Sequence, residues 1–145
     1  MRELYQELII DHGKRPRNFR CISGATHSLV GHNPLCGDRL ELFIDCKKDL
    51  LADIAFQGEG CAICMASASL MSQALKGQSK AEALSLFDTF YSALMNDADT
   101  DTEKLGKLEA LLGVSQYPTR VKCATLAWHT MKSALENANK KVSTE

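Results

Sequence analysis

The sequence has almost no excess of charge of either sign and no long apolar run near its first residue. Its 17 Lys and Arg residues balance 18 Asp and Glu residues, which leaves a formal net charge of -1. A chain this close to neutral has no surplus positive charge to hold a nucleic-acid backbone or an anionic membrane. Charges at Arg2, Glu3 and Glu7 interrupt the first apolar segment and argue against a secretory signal or a membrane span there. We therefore expect a cytoplasmic protein whose partners are proteins.

The length and the cysteine content narrow the class further. A chain of 145 residues with 45% hydrophobic residues is expected to form one domain, 1–145, with a sizeable core. It has six cysteines. In a reducing compartment, metal binding or thiol chemistry is favoured over a disulfide framework.

The order of hydrophobic patterns predicts an α+β fold. Alternating apolar and polar residues predict strands at 26–31, 39–46 and 50–56. Helical periodicity is found at 1–11, 61–76, 79–95, 104–112 and from about 118 onwards, and the polar tail from 137 is expected to be frayed. Strands that precede most of the helices favour a small antiparallel three-stranded sheet packed against several helices.

Several helix ends carry recognisable residues. His12 and Gly13 are expected to end the first helix, and Gly77 to cap the second. Ser79 with Glu82 three residues later predicts a capping box. Gly113 is expected to stop the fourth helix, and Pro118 is suited to the start of the last one.

The segment NPLCGD at 33–38 is the most informative motif. It is a turn rich in Pro and Gly that presents the Cys36 thiol and the Asp38 carboxylate two residues apart, just before a strand. Both side chains are able to reach one metal ion. Asp after Gly commonly serves only a turn, but the neighbouring thiol favours a functional role.

Two further cysteines lie near predicted helix starts. Cys61 follows GEG at the start of a helix, and Cys123 follows RVK near the start of the last helix. The helix dipole favours the thiolate at both positions, and cations add to this effect at Cys123. Three thiolates and a carboxylate suit tetrahedral zinc or an iron-sulfur cluster, and spacing alone does not choose between them.

The remaining thiols and the histidines carry weaker signals. Cys64 completes a C-x-x-C pair with Cys61, the spacing of thiol redox centres and zinc knuckles. Cys21 and Cys46 have no ligand-like neighbours and are interpreted as packing or spare thiols. Structural or solvated roles are expected for the four histidines, His12, His27, His32 and His129.

Three segments together resemble the U-type iron-sulfur cluster assembly proteins, the NifU N-terminal family. They are NPLCGDRLEL at 33–42, GEGCAICMASASLMSQALKG at 58–77 and PTRVKCATLAW at 118–128, and the resemblance covers nearly the whole chain. The SufU group is the closer match, because Lys122 precedes Cys123 where IscU-type scaffolds carry His. The segment 78–116 between helices also resembles the longer SufU segment.

The resemblance implies a fold of the SufE/NifU kind and a metal-ligand set of Cys36, Asp38, Cys61 and Cys123. Zn²⁺ is the implied occupant, and a 2Fe-2S cluster or iron is the alternative. It further implies that a PLP-dependent cysteine desulfurase of the SufS type docks, displaces Cys36 from the metal and passes persulfide sulfur to it. By analogy Arg120 helps this docking, and downstream scaffolds or apo-acceptor proteins receive the sulfur.

Three functional hypotheses remain open at this point. The first is a zinc-dependent sulfur acceptor, a sulfurtransferase-like carrier with Cys36 as the reacting thiol. The second is a scaffold that assembles and transfers a 2Fe-2S cluster, against which the missing His before Cys123 argues. The third is a thiol oxidoreductase using Cys61 and Cys64. Position 64 is more usually Ser in the proteins that the chain resembles, so Cys64 is an extra thiol able to compete as a ligand or to resolve a persulfide.

Overall fold

The elements of the chain follow the predicted order of early strands and later helices. A computed structural model describes residues 2–95, 100–136 and 142–143. The helices are α1 (Arg2–Lys14), α2 (Ala62–Leu75), α3 (Lys80–Leu94) and α4 (Pro118–Leu135), with a 3₁₀ segment at Thr102–Gln116. The strands are β1 (His27–Asn33), β2 (Asp38–Lys47), β3 (Leu50–Glu59) and the short β4 (Val142–Ser143). None of the described helices combines the length and the apolar character needed to span a bilayer.

Strands β1, β2 and β3 form the predicted antiparallel sheet, which confirms the α+β fold class. The order of the strands is β3-β2-β1-β4. The fourth strand was not predicted: Val142–Ser143 pair in parallel with β1, within a tail that was expected to fray. Backbone groups at the open edge of β1 provide this pairing, and two paired residues leave no periodic signature in the sequence.

The core lies between the sheet and helices α2 and α4. The Trp128 ring is fully buried, and its centroid lies 5.0 Å from that of Phe90. Its indole N–H donates to Ser67 Oγ at 3.1 Å, and that hydroxyl donates to the carbonyl of Ala124. A buried polar side chain thus joins α2 to α4 without an unpaired hydroxyl. This packing holds α2 and α4 together.

Helix α1 runs three residues beyond its predicted end. His12 is buried, and its Nδ1 lies 2.6 Å from Ser69 Oγ on α2. Gly13 approaches α2 so closely that an added Cβ would lie 3.2 Å from the Ala62 carbonyl oxygen. The prediction that His12 and Gly13 end the helix was wrong because packing against α2 outweighs the local signals. The structural role expected for His12 is confirmed.

The connections between the later helices are only partly as predicted. Ser79 and Glu82 form the predicted capping box, and Gly77 follows α2 with a φ of +85°. The helix predicted at 104–112 is instead a 3₁₀ segment, broken at Gly106 and continuing through Gly113. Its buried residues Leu105, Leu108, Leu111 and Val114 recur every third position, which matches the three residues per turn of a 3₁₀ helix.

We predict that Gly58→Ala destabilises the fold by about 2 kcal/mol or more, because Gly58 has a φ of +145° and an added Cβ would collide with the Arg39 carbonyl of β2. Urea unfolding followed by circular dichroism measures the loss. Gly113→Ala is the matched control, since nothing lies within 4 Å of its added Cβ. Equal stability of the two variants would contradict the prediction.

Candidate metal centre

The turn between β1 and β2 presents Cys36 and Asp38. Asn33 and Asp38 are paired residues at the ends of the two strands, so the intervening segment forms a tight loop. Gly37 has a φ of +70°, a conformation that glycine adopts without steric cost. The Cys36 side chain is half-buried and Asp38 is fully buried. The motif therefore presents one accessible thiol above one inaccessible carboxylate.

The Asp38 carboxylate is held by two hydrogen bonds from different parts of the chain. Its Oδ1 accepts the backbone N–H of Cys61 at 2.8 Å, and its Oδ2 accepts Nδ2 of Asn33 at 3.1 Å. The first bond ties the start of β2 to the N-terminal end of α2, and the second ties it to the end of β1. Hydrogen bonds of this kind restrict the orientation of a carboxylate ligand.

Cys61 is the N-cap residue of α2, as its predicted place at the start of a helix requires. Its Sγ accepts the backbone N–H of Cys64 at 3.4 Å, in the manner of a capping side chain. The positive end of the helix dipole is thus directed at this sulfur. The preceding Gly60 has no room for a side chain, because a Cβ there would lie 2.8 Å from Asp38 Oδ1 and 3.2 Å from Cys64 Sγ.

Cys123 brings the last helix into the same cluster. Its side chain is fully buried, and its Sγ lies 3.2 Å from Cys36 Sγ and 3.5 Å from Nδ2 of Asn33. The Cys61 thiol is near enough to Cys123 to contribute to the raised pKa of the Cys123 thiol. Residues from the β1–β2 turn, the start of α2 and the first half of α4 therefore converge on one point.

The electrostatic expectation for Cys123 differs from what the structure shows. Burial raises the pKa of this thiol well above its usual range, and hydrogen bonds with Cys36 and Asp38 raise it further. The helix dipole and nearby cations were expected to favour the thiolate. They are outweighed because the sulfur is removed from water and placed beside other acidic groups. A bound cation would reverse this balance.

The donor atoms of Cys36, Asp38 and Cys123 all lie within 4.8 Å of one another. Atoms that bind zinc tetrahedrally at about 2.0–2.3 Å lie about 3.3–3.8 Å apart, so small movements bring this set to ligand geometry. Cys61 Sγ stands beside Cys123 but outside this close group of described residues. The two sulfurs and one oxygen, with Cys61 adjacent, have the chemistry of a zinc or iron-sulfur site.

Arg120 lies one helical turn before Cys123 and is exposed. The charges of Cys61 and Cys123 raise the pKa of its guanidinium. Arg120 and Cys61 also line a surface groove with Ile63, Val114 and Tyr117. A role of Arg120 in partner docking stays a prediction, and its cation lies near enough to Cys61 and Cys123 to interact with their charges.

The other three cysteines differ in burial and surroundings from Cys36, Cys61 and Cys123. Cys64 is fully buried, and burial together with the nearby Asp38 charge raises the pKa of its thiol far above the usual range. Cys21 is exposed and Cys46 is half-buried, and neither belongs to a cluster of potential ligands within the described residues. His129 packs against the Phe87 ring at 5.2 Å, which is the structural role expected of it.

Sequence reasoning named Asn33 only as part of the turn and missed its contacts with the cluster. Its side chain is fully buried and reaches both Asp38 and Cys123. The one local signal was its position five residues before Asp38, which places the two opposite each other if the strands pair around the turn. The contact with α4 has no counterpart in the local sequence.

The fold and the cluster define a class: a small α+β protein in which one turn, the start of α2 and the first half of α4 bring together a carboxylate and cysteine sulfurs that are able to hold a metal ion. Residues 4–124 match the model of the NifU-like N-terminal domain. The chain belongs to this family. The resemblance inferred from its motifs is therefore confirmed.

Curated relatives include both named groups of this family. The zinc-dependent sulfurtransferase SufU of Bacillus subtilis is 42% identical over 132 residues, covering 91% of this chain and 89% of that protein. The iron-sulfur cluster assembly scaffold protein IscU of Streptococcus pyogenes is 38% identical over 138 residues, covering 95% and 86%. The chain is thus of the SufU/IscU type.

Solved structures agree with this placement. A protein proposed as the iron-sulfur cluster assembly scaffold for the SUF system of Fervidobacterium islandicum AW-1 matches with a TM-score of 0.86 at 33% identity, covering 92% of this chain and 97% of that one. The N-terminal part of a NifU-like protein from Brucella abortus matches with a TM-score of 0.83 at 17% identity, which supports the fold alone.

We predict that iodoacetamide at pH 8 modifies Cys36 and Cys21 in the folded, metal-free protein and leaves Cys64 unmodified, because Cys64 is buried and its pKa is raised. Peptide mass spectrometry after timed quenching measures each site. The same reaction in urea is the control, in which all three thiols are modified. Rapid modification of Cys64 in the folded protein would show that this thiol is accessible.

Proposed function

We propose that this protein accepts persulfide sulfur on Cys36 from a cysteine desulfurase at a zinc-thiolate centre formed by Cys36, Asp38, Cys61 and Cys123. The observation that carries the proposal is the convergence of three donor atoms within 4.8 Å, with Cys61 beside them. The name of the SufU relative, a zinc-dependent sulfurtransferase, supports the choice of metal and of chemistry. The reaction is assigned to the cytoplasm.

Cys36 is the sulfur best placed to receive sulfur from outside. It lies on an exposed turn beside Leu35, whereas Cys123 is fully buried. The transfer is a thiol-persulfide exchange. The Cys36 thiolate attacks the terminal sulfur of the desulfurase persulfide, a new S–S bond forms on Cys36, and the desulfurase cysteine leaves as a thiolate. No external oxidant or reductant is needed.

The other cluster residues prepare Cys36 for this exchange. Zinc, when bound, supplies a positive charge that keeps its sulfur ligands deprotonated at neutral pH. The Asp38 carboxylate and the Cys123 sulfur stay below the surface, so the accessible sulfurs of the centre are those of the half-buried Cys36 and Cys61. Arg120 provides a cation near the sulfurs that suits the anionic persulfide of the incoming enzyme.

The groove beside the cluster supports a protein partner. Leu35, beside Cys36 on the turn, is more than half exposed, and so is Tyr117 within the groove, an unusual position for large apolar side chains next to charged and reactive groups. Ile63 and Val114 line the same groove. We assign this face to the SufS-type desulfurase. A downstream scaffold or apo-acceptor protein is the proposed recipient of the sulfur.

We predict one tightly held zinc ion per chain in protein purified without added metal, and faster desulfurase turnover when this protein is added. Cys36→Ser is expected to abolish the stimulation, because the serine hydroxyl does not accept sulfane sulfur. Sulfide release with a SufS-type desulfurase and elemental analysis are the measurements. Cys21→Ser, which changes an exposed thiol outside the cluster, is the control and is expected to behave as the wild type. Unchanged turnover with the zinc-loaded protein would refute the proposal.

The second candidate is a scaffold that assembles a 2Fe-2S cluster and passes it on. It is favoured by the IscU relative, which is named a scaffold protein and is 38% identical. Lys122 before Cys123 argues against it, because the resembling scaffolds carry His there. Anaerobic reconstitution distinguishes the two: a scaffold yields a stable cluster that transfers to an apo-ferredoxin, whereas we expect no stable cluster here.

A thiol oxidoreductase using Cys61 and Cys64 has less support in the structure. A redox pair needs at least one accessible thiol with a lowered pKa. Cys64 is fully buried with a raised pKa, and the Cys61 sulfur faces the metal cluster. Loss of function in Cys64→Ser with retention in Cys36→Ser would reverse this preference.

A further inference from the structure

Asn33 occupies a central position beneath the metal centre. It is the last residue of β1, pairs with Asp38 across the sheet and has no exposed surface. Its Nδ2 donates to Asp38 Oδ2 at 3.1 Å and to Cys123 Sγ at 3.5 Å. A single amide group therefore contacts two proposed ligands that come from β2 and α4.

The hydrogen bonds that Nδ2 donates set the orientation of the Asn33 amide. Within the described residues, Oδ1 of Asn33 is buried without a hydrogen-bond partner. Buried amide oxygens are generally paired, so an unpaired one needs an explanation. The opposite orientation would direct Oδ1 at a carboxylate and a sulfur, both of which act here as acceptors. The contacts with Asp38 and Cys123 thus hold the amide in this orientation and leave its oxygen without a hydrogen-bond partner.

We infer that Asn33 is a positioning residue of the metal centre, which holds Asp38 and Cys123 in place and leaves Cys36 as the ligand able to react. This inference rests on the proposed function. The hydrogen bond recorded for the Cys36 sulfur comes from Cys123, and no buried amide among the described residues supports it. A donor to a ligand sulfur stabilises its negative charge and makes it less nucleophilic. Because Asn33 donates a hydrogen bond to Cys123 and none to Cys36, we expect the Cys123 thiolate to hold the metal and the Cys36 thiolate to react.

The test compares wild type, Asn33→Leu and Asn33→Ala as full-length zinc-loaded proteins. Leu keeps the branched shape of Asn with slightly larger end groups and removes both donor hydrogens, and Ala removes most of the side chain without the risk of overpacking. We expect zinc to be bound about 10- to 100-fold more weakly in both variants, as for other residues that support metal ligands, and to be transferred correspondingly faster to a colorimetric chelator. Cobalt(II) in place of zinc provides a spectroscopic readout, and the sulfur-to-cobalt charge-transfer bands are expected to shift or weaken.

Thr130→Val is the matched control, because Thr130 is also buried and also lies between α4 and β1. Its hydroxyl donates to the Leu126 carbonyl within its own helix at 2.7 Å, away from the ligands. This variant is expected to keep wild-type zinc release and cobalt spectra.

Four outcomes would count against the inference. Asn33 variants that match wild type in zinc release and cobalt spectra overturn it and leave the proposed function intact. The Asn33 variants also overturn it if their cobalt spectra match wild type and their faster zinc loss is fully accounted for by the lower stability of their metal-free forms in urea. That result shows a purely structural role for Asn33. Failure of both Asn33 variants to fold, with Thr130→Val folded, overturns it in the same way. A wild-type protein that holds no zinc overturns both this inference and the proposed function.

Discussion

The Asp38 carboxylate is the constraint on which the rest of the centre depends. Its two oxygens accept one hydrogen bond from the backbone of Cys61 and one from the side chain of Asn33. These bonds join the end of β1, the start of β2 and the first turn of α2 at a point removed from water. Because a buried carboxylate is unfavourable without partners, these contacts must form together with the packing around them.

These hydrogen bonds explain why cysteines that differ in burial meet at one site. Cys61 lies beside Asp38 because its own backbone N–H is the donor, and Cys123 is brought alongside when α4 packs on α2 and β1. Burial raises the pKa of the Cys123 thiol, and its hydrogen bonds with neighbouring acidic groups raise it further, so these groups resist losing their protons together. A divalent cation removes that penalty, so the same arrangement that is unfavourable for free thiolates is suited to a metal. Cys36, on the exposed turn, remains accessible to a partner.

Much of the fold was predictable because it follows local periodicity. The three antiparallel strands, the capping box at Ser79 and the start of α4 at Pro118 all follow from patterns within a few residues. The errors occurred where distant packing outweighs such patterns. Helix α1 continues past Gly13 because α2 accepts it closely, and the segment 102–116 follows a period of three rather than 3.6. The short strand β4 depends only on the open edge of β1.

The sequence by itself determined which residue types were available for the centre and where they begin elements: a thiol and a carboxylate on one turn, and a thiol near the start of each of two helices. Only the tertiary structure decided which of the six cysteines meet, that Cys64 is buried beside the cluster rather than exposed, and that Asn33 contacts both Asp38 and Cys123. The reason is physical. Capping and turn formation depend on neighbouring residues, whereas burial and side-chain contacts depend on segments about 90 residues apart being packed together.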